Sequence, residues 1–161
     1  MTEQYDPYQE MEVRDEYISE DIFARFIDKM PQVCVEIIVE SEDGILIAKR
    51  NGDPAIWFWP GSRLFKGESL LEAVHRIAQE ELSIEVEIVD QYGPYEHFWE
   101  DSPIAGSPSR HTVNIVFHTV PTQESFSIDI DDQHSDYRFI SEIEPDLHEY
   151  VRLYIEENDL L

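Results

Sequence analysis

Lysine is nearly missing from this 161-residue chain: Lys29, Lys49 and Lys66 are the only three, against 36 acidic residues, and the formal charge is −25. Such a surface repels nucleic-acid phosphates and anionic membranes, which excludes both as general partners. Cysteine is reduced to Cys34, so no intrachain disulfide can form, and its apolar surroundings mark a small core residue. No apolar run approaches the length needed to span a bilayer, and the acidic segment Met1–Glu20 lacks the basic and apolar regions of a signal peptide. A soluble, cytoplasmic protein is expected. Internal repeats and low-complexity linkers are also missing. Many acids with few lysines suit a high-salt cytoplasm, where counterions screen self-repulsion. The bland alternative is an acidic but otherwise ordinary protein.

What is present is a real core, with 42% hydrophobic residues. Residues 1–18 read as a loose acidic arm and 19–161 as one domain. Ser19 can cap a helix reaching about Met30, with Ile22, Phe23, Phe26 and Ile27 as its apolar stripe. Val33–Val39 alternates as a strand, Ser41-Glu42-Asp43-Gly44 is a hairpin turn, and Ile45–Lys49 returns. Asn51-Gly52-Asp53-Pro54 breaks the chain before a short aromatic strand, Trp57-Phe58-Trp59. Helical spacing runs from Ser69 to about Leu82, with Leu70, Ala73, Val74, Ile77, Ala78 and Leu82 on one face. Strands follow at Ile84–Asp90, continuing irregularly to Trp99, then at His111–Val120 and Tyr137–Ile140. Residues 100–109 form a loop, and Pro145 opens a C-terminal helix to about Glu156. The pattern predicts an α/β fold, an α/β/α sandwich on a mixed sheet.

Chemistry concentrates in Pro60-Gly61-Ser62-Arg63-Leu64-Phe65-Lys66-Gly67-Glu68 and the helix after it. Glu72, Arg76 and Glu80 are spaced i,i+4, so the arginine can hold the carboxylates. A turn carbonyl with one or two helix carboxylates suits a hard cation that keeps waters or phosphates as its other ligands. From spacing alone, a solvated acidic face with internal salt bridges explains the same pattern.

The segment resembles the Nudix box, G-x5-E-x7-R-E-U-x-E-E-x-G-U with U aliphatic. Glu68, Arg76, Ala78, Glu80, Glu81 and Ile84 match it. Ser62, Ile77 and Ser83 depart from it, replacing a glycine, a glutamate and a glycine. Isoleucine at 77 removes a carboxylate one turn before Glu81, which favours one metal over several. The GDP-mannose mannosyl hydrolase branch of the superfamily also lacks that glutamate. The likeness extends over roughly residues 33–155, through Trp57–Arg63, Glu96-His97-Phe98-Trp99-Glu100-Asp101 and Asp131-Asp132-Gln133-His134-Ser135-Asp136-Tyr137-Arg138.

The resemblance implies a Nudix fold, a homodimer, and Mg²⁺ (or Mn²⁺) held by Glu81, Gln133 and the Gly61 carbonyl, with Glu80 a further candidate. It implies His134 as general base, Arg50 and Arg63 on the diphosphate, and His97 touching substrate. Glu36 stands where that branch has an aspartate near the leaving group, and Thr112 where it has a tyrosine. The substrate expected is a nucleoside diphosphate sugar such as GDP-mannose or GDP-glucose, cleaved at the anomeric carbon. The rival activities are pyrophosphatase cleavage of a P–O–P bond, as in ADP-ribose, and nucleotide binding without catalysis. The bland readings are surface salt bridges for Arg50 and Arg63, a solvated loop histidine for His134, and a buried, hydrogen-bonded histidine for His97.

The charge balance gives the first testable consequence. The melting temperature rises from dilute buffer to molar potassium chloride as screening removes self-repulsion. A melting curve that stays put or moves down across that range contradicts salt adaptation.

Overall fold

A computed structural model describes residues 11–52, 55–100 and 109–161. Residues 1–10 of the expected arm, 53–54 of the predicted break and 101–108 of the predicted loop lie outside the described residues. The elements are α1 (Glu20–Lys29), β1 (Gln32–Ser41), β2 (Gly44–Arg50), β3 (Ile56–Phe58), β4 (Gly61–Arg63), α2 (Leu70–Leu82), β5 (Val86–Trp99), β6 (Arg110–Pro121), β7 (His134–Ile140) and α3 (Glu149–Glu157). The seven strands make one mixed sheet of order β3-β2-β1-β6-β5, with β4 also pairing β1 and β7 pairing β2. β1 and β6 run parallel at its centre and the other pairs are antiparallel. The expected mixed α/β sandwich is therefore the observed architecture. No helix among the described residues is long and apolar enough to cross a membrane.

The period-two alternation of β1 divides the core. Val35, Ile37 and Val39 face α2 and pack with Ala73, Val74, Ile77, Ala78 and Leu82. Ile38 faces the other way, in a cluster with Val116 of β6 and Val151, Tyr154 and Ile155 of α3. Cys34 and Glu36 continue that second face to where the sheet opens into a cleft. Burying an aliphatic side chain contributes roughly 1.5–3 kcal/mol, whereas an exposed i,i+4 ion pair contributes about 0.3–0.5 kcal/mol. The apolar face of α2, not its charges, holds the helix in place.

Local signals set the ends of α2. Ser69 caps it through a capping box: its hydroxyl accepts from the Glu72 N–H (3.1 Å), and the Glu72 carboxylate accepts from the Ser69 N–H (2.7 Å). The spacing argument placed Glu72 with Arg76; the cap claims it instead. Ser83 ends the helix in the left-handed region (φ 57°), where the box pattern has glycine, and its hydroxyl donates to the Asp129 carbonyl (3.1 Å).

α3 starts later than predicted. Pro145 lies a turn before it, and the His148 side chain caps the helix by accepting from the Tyr150 N–H (3.1 Å). Of the expected arm, residues 11–18 lie along the box loop. Arg14 donates its N–H to the Lys66 carbonyl (2.9 Å), and Gly67 (φ 86°) leaves room for the Glu12 carbonyl, which a Cβ there would meet at 2.4 Å.

Candidate active site

The box arginine assembles the turn between β4 and α2. Half-buried Arg76 holds the buried Glu68 carboxylate in a fork, through Nε and through Nη2 (3.1 Å). It also donates to the Ser62 hydroxyl (3.0 Å) and the Arg63 carbonyl (3.1 Å), and its guanidinium lies over the Phe65 ring at 3.9 Å. Glu80 meets Arg76 at 3.4 Å with a side chain 61% exposed, so its contact points outward along the helix. Ser62, which replaces a box glycine, thus uses its hydroxyl inside the clamp.

The clamped turn sets Gly61 against Glu81. The Gly61 N–H donates to the Glu81 carboxylate (3.1 Å). No side chain fits at Gly61, because a Cβ would lie 2.7 Å from the Val35 carbonyl oxygen and 2.9 Å from Glu36 Cγ. Glu81 is buried, and burial chiefly, then the nearby Asp131 charge, pushes its carboxyl up to about 8 despite Arg50, the Gly61 N–H and Arg76. Ile77, at the position of the missing glutamate, is fully buried in the core.

His134 starts β7 and pairs with Arg50 at the end of β2. Its imidazole is buried, with Nδ1 2.6 Å from Asp131 and Nε2 4.0 Å from the Glu81 carboxylate. An ionised carboxylate only accepts, so Nδ1 carries the proton towards Asp131 and Nε2 of the neutral ring offers its lone pair towards Glu81. This is the orientation a general base requires, and it sets His134 apart from a merely solvated loop histidine.

Beside this group a small cleft opens between β1, β4, β5 and β6; Glu36, Arg50, Gly61 and His97 line it. Arg50 donates to the Trp59 carbonyl (2.9 Å) and lies over the Phe58 ring at 4.7 Å. Glu36 accepts from the Tyr154 hydroxyl (2.6 Å), and His97 Nε2 lies 2.8 Å from the same oxygen. Tyr154 donates to Glu36, so His97 Nε2 must be the donor to Tyr154, which turns Nδ1 towards Glu36 (3.9 Å). His97 also stacks on Tyr150 with ring centres 3.9 Å apart. Burial, followed by repulsion from His148 and Arg50, pulls the His97 pKa down to about 3, so the ring is neutral. Burial pushes Glu36 up to about 7, against the Tyr154 hydrogen bond and the Arg50 and Arg110 charges.

Glu36, Arg50, Gly61 and His97 therefore share the cleft, and Gly61 also meets Glu81, whose carboxylate lies 4.0 Å from His134. Arg63 and exposed Gln133 line a separate opening beside Phe23 and Glu20 of α1, with Arg63 stacked over Phe65 at 4.5 Å. Among the described residues no three acidic, histidine or cysteine side chains cluster as a self-sufficient metal site. The structure brings one buried carboxylate, Glu81, against the Gly61 backbone, a small oxygen donor set that suits a hard cation keeping most of its ligands as water and phosphate oxygen; Gln133, in the separate opening, is not brought to it.

Sequence reasoning assigned no role to Asp131, Tyr154, Arg110 or Asn114. Asp131, three residues before His134, carried a usable signal. Arg110 and Asn114 follow the alternation of β6 through Thr112. Tyr154 reaches Glu36 across 118 residues of sequence, and nothing local announces it.

A mixed sheet between helices, with a box turn clamped onto a carboxylate-bearing helix, defines the Nudix class of hydrolase folds. The chain matches the NUDIX domain over residues 30–155. It is 33% identical over 144 residues to the low-salt glycan biosynthesis protein Agl8 of Haloferax volcanii, covering 88% of this chain and 91% of that protein. Its fold is similar to the MutT protein of Methanosarcina mazei (TM-score 0.64, 22% identity, 81% of this chain and 95% of that one). It is also similar to the MutT Nudix hydrolase of Burkholderia pseudomallei (TM-score 0.61, 20% identity, 80% and 98%). This chain belongs to the NUDIX domain family.

Two outcomes follow from this geometry. Glu81→Gln keeps the acceptor for the Gly61 N–H and removes the charge, so it abolishes nearly all metal-dependent turnover without lowering the melting temperature. Full activity in a normally melting variant removes Glu81 from the site. Glu36 has a folded-state pKa of about 7 against an ordinary value of 4.5. The folded chain therefore binds the extra proton between those values, and its stability falls as pH rises through that window. Glu36→Gln stays neutral, so its melting temperature relative to the native chain is lowest near pH 4.5 and climbs to a plateau above pH 7. A pH-independent difference contradicts the burial of an ionisable Glu36.

Proposed function

We propose that this chain hydrolyses a nucleoside diphosphate sugar, GDP-mannose or GDP-glucose being the first candidates, to the nucleoside diphosphate and free sugar. The observation that carries the reading is His134: buried, held by Asp131 through Nδ1, and presenting Nε2 beside Glu81. Glu81 and the Gly61 carbonyl would hold Mg²⁺ or Mn²⁺, which when bound neutralises charge on the diphosphate, and Gln133 would join them only by turning in from the opening beside α1. His134 Nε2 takes a proton from the water that attacks the anomeric carbon. The carbon–oxygen bond to the diphosphate breaks, and its electron pair leaves on the diphosphate oxygen. Arg50 and Arg63 donate to the departing anion. Neutral His97 and Glu36 receive the sugar hydroxyls in the cleft. The glycan-biosynthesis name of the Haloferax relative is in keeping with an activated sugar as substrate. A homodimer and a cytoplasmic location belong to the same proposal.

A second reading, P–O–P cleavage, draws on Glu80, an exposed acid next to Glu81 in the box pattern. Reaction in ¹⁸O-water separates the two. Carbon attack puts the label in the released sugar and none in the nucleotide; label in a phosphate supports the pyrophosphatase instead. His134→Gln slows the labelled reaction by roughly 10²–10⁴-fold with little change in substrate binding. Undiminished turnover in that variant removes His134 from the chemistry.

A further inference from the structure

Alternation along β6 puts Arg110, Thr112 and Asn114 on the face that carries Cys34 and Glu36 of β1, and all five line the cleft. Three of the eight arginines, Arg14, Arg76 and Arg138, are ion-paired with carboxylates. Among the described residues, Arg50 and Arg110 have no carboxylate within 4.0 Å. Neutral acceptors hold them instead. Arg110 Nε donates to the Gln32 side-chain oxygen (2.8 Å) and Nη2 approaches Cys34 Sγ (3.8 Å), while Arg50 donates to the Trp59 carbonyl. Of the five N–H donors of a guanidinium, described residues engage two of Arg110 and one of Arg50. Glu36, the one acid among the described residues lining the cleft, is turned to the Tyr154 hydroxyl (2.6 Å). Asn114 is spent on Thr112 and on the Tyr95 carbonyl. The cleft therefore holds two guanidinium forks that, among the described residues, are hydrogen-bonded by neutral acceptors and not by a carboxylate, next to Gly61.

We propose that Arg110, with Arg50, forms a phosphate-binding subsite in this cleft, which takes the diphosphate of the substrate and holds it as it leaves. The proposal rests on the hydrolase reading for its substrate, but the anion site stands on its own geometry. Two planar forks anchored by neutral groups suit the oxygens of a phosphate, which accept bidentate hydrogen bonds. Arg110 approaches from β6, across the cleft from the β2 end that carries Arg50, so the anion is gripped from two strands.

The test is calorimetric titration of inorganic pyrophosphate and of GDP into the full chain, without added metal and then with Mg²⁺. Arg110→Gln weakens pyrophosphate binding on the order of tenfold or more, and Arg110→Lys, which keeps the charge but not the fork, falls between. Melting temperatures of both variants stay near that of the parent protein. Pyrophosphate affinity unchanged in a well-folded Arg110→Gln overturns the subsite, even if the labelled sugar is released as proposed. Weakened binding in a protein that hydrolyses no nucleotide sugar upholds the subsite and removes the hydrolase reading. Should Arg110→Gln not fold, an Arg110→Lys variant that binds pyrophosphate like the parent protein overturns it equally.

Discussion

The site depends on one side chain that does not touch the proposed chemistry, the guanidinium of Arg76. Its fork on Glu68, its bonds to Ser62 and to the Arg63 carbonyl, and its seat on Phe65 tie the turn after β4 to the middle of α2. Hydrogen bonds to charged groups contribute about 1.5–3 kcal/mol each, more in sum than an exposed ion pair such as Arg76–Glu80. With the turn fixed, Gly61 lies against β1 and its N–H meets Glu81. Nothing larger than glycine fits between Val35 and Glu36, so the approach of backbone to carboxylate is set by the absence of a side chain.

Around that frame the protein keeps charges it does not neutralise. Elsewhere, arginines such as Arg138 are matched with acids. Glu36 in the cleft and Glu81 against Gly61 are buried with raised pKa values, and Arg50 is fixed by a carbonyl. Burying ionisable groups with no opposite charge in direct contact costs stability; groups arranged this way are poised for an ion or substrate. The −25 surface makes the arrangement more telling, since carboxylates to pair with are plentiful.

Much of this was legible in the sequence because it is local. The capping serine of α2, the hairpin at Ser41–Gly44, the alternation of β1 and the spacing of the box all act within a few residues, and the elements formed where those signals lie. The partners of the charges were less legible. Spacing put Glu72 on Arg76, but the cap claimed it, and Glu68, eight residues before Arg76, took the fork because the turn folds back. The start of α3 moved from Pro145 to His148 because a histidine cap leaves no compositional trace. Gln133 and Arg63, grouped with Glu81 by resemblance, open beside α1 instead. The Tyr154–Glu36–His97 chain joins a helix and two strands far apart in sequence, which no window along the chain can reveal.

The central claim is that water, with His134 as its base, displaces the diphosphate from carbon in one step. A single displacement inverts the carbon it strikes. Proton NMR of the sugar released from an α-linked nucleoside diphosphate sugar, recorded before mutarotation, shows the β anomer first if the account is right. A sugar 1-phosphate as the first product, or a free sugar that emerges as the α anomer, contradicts it.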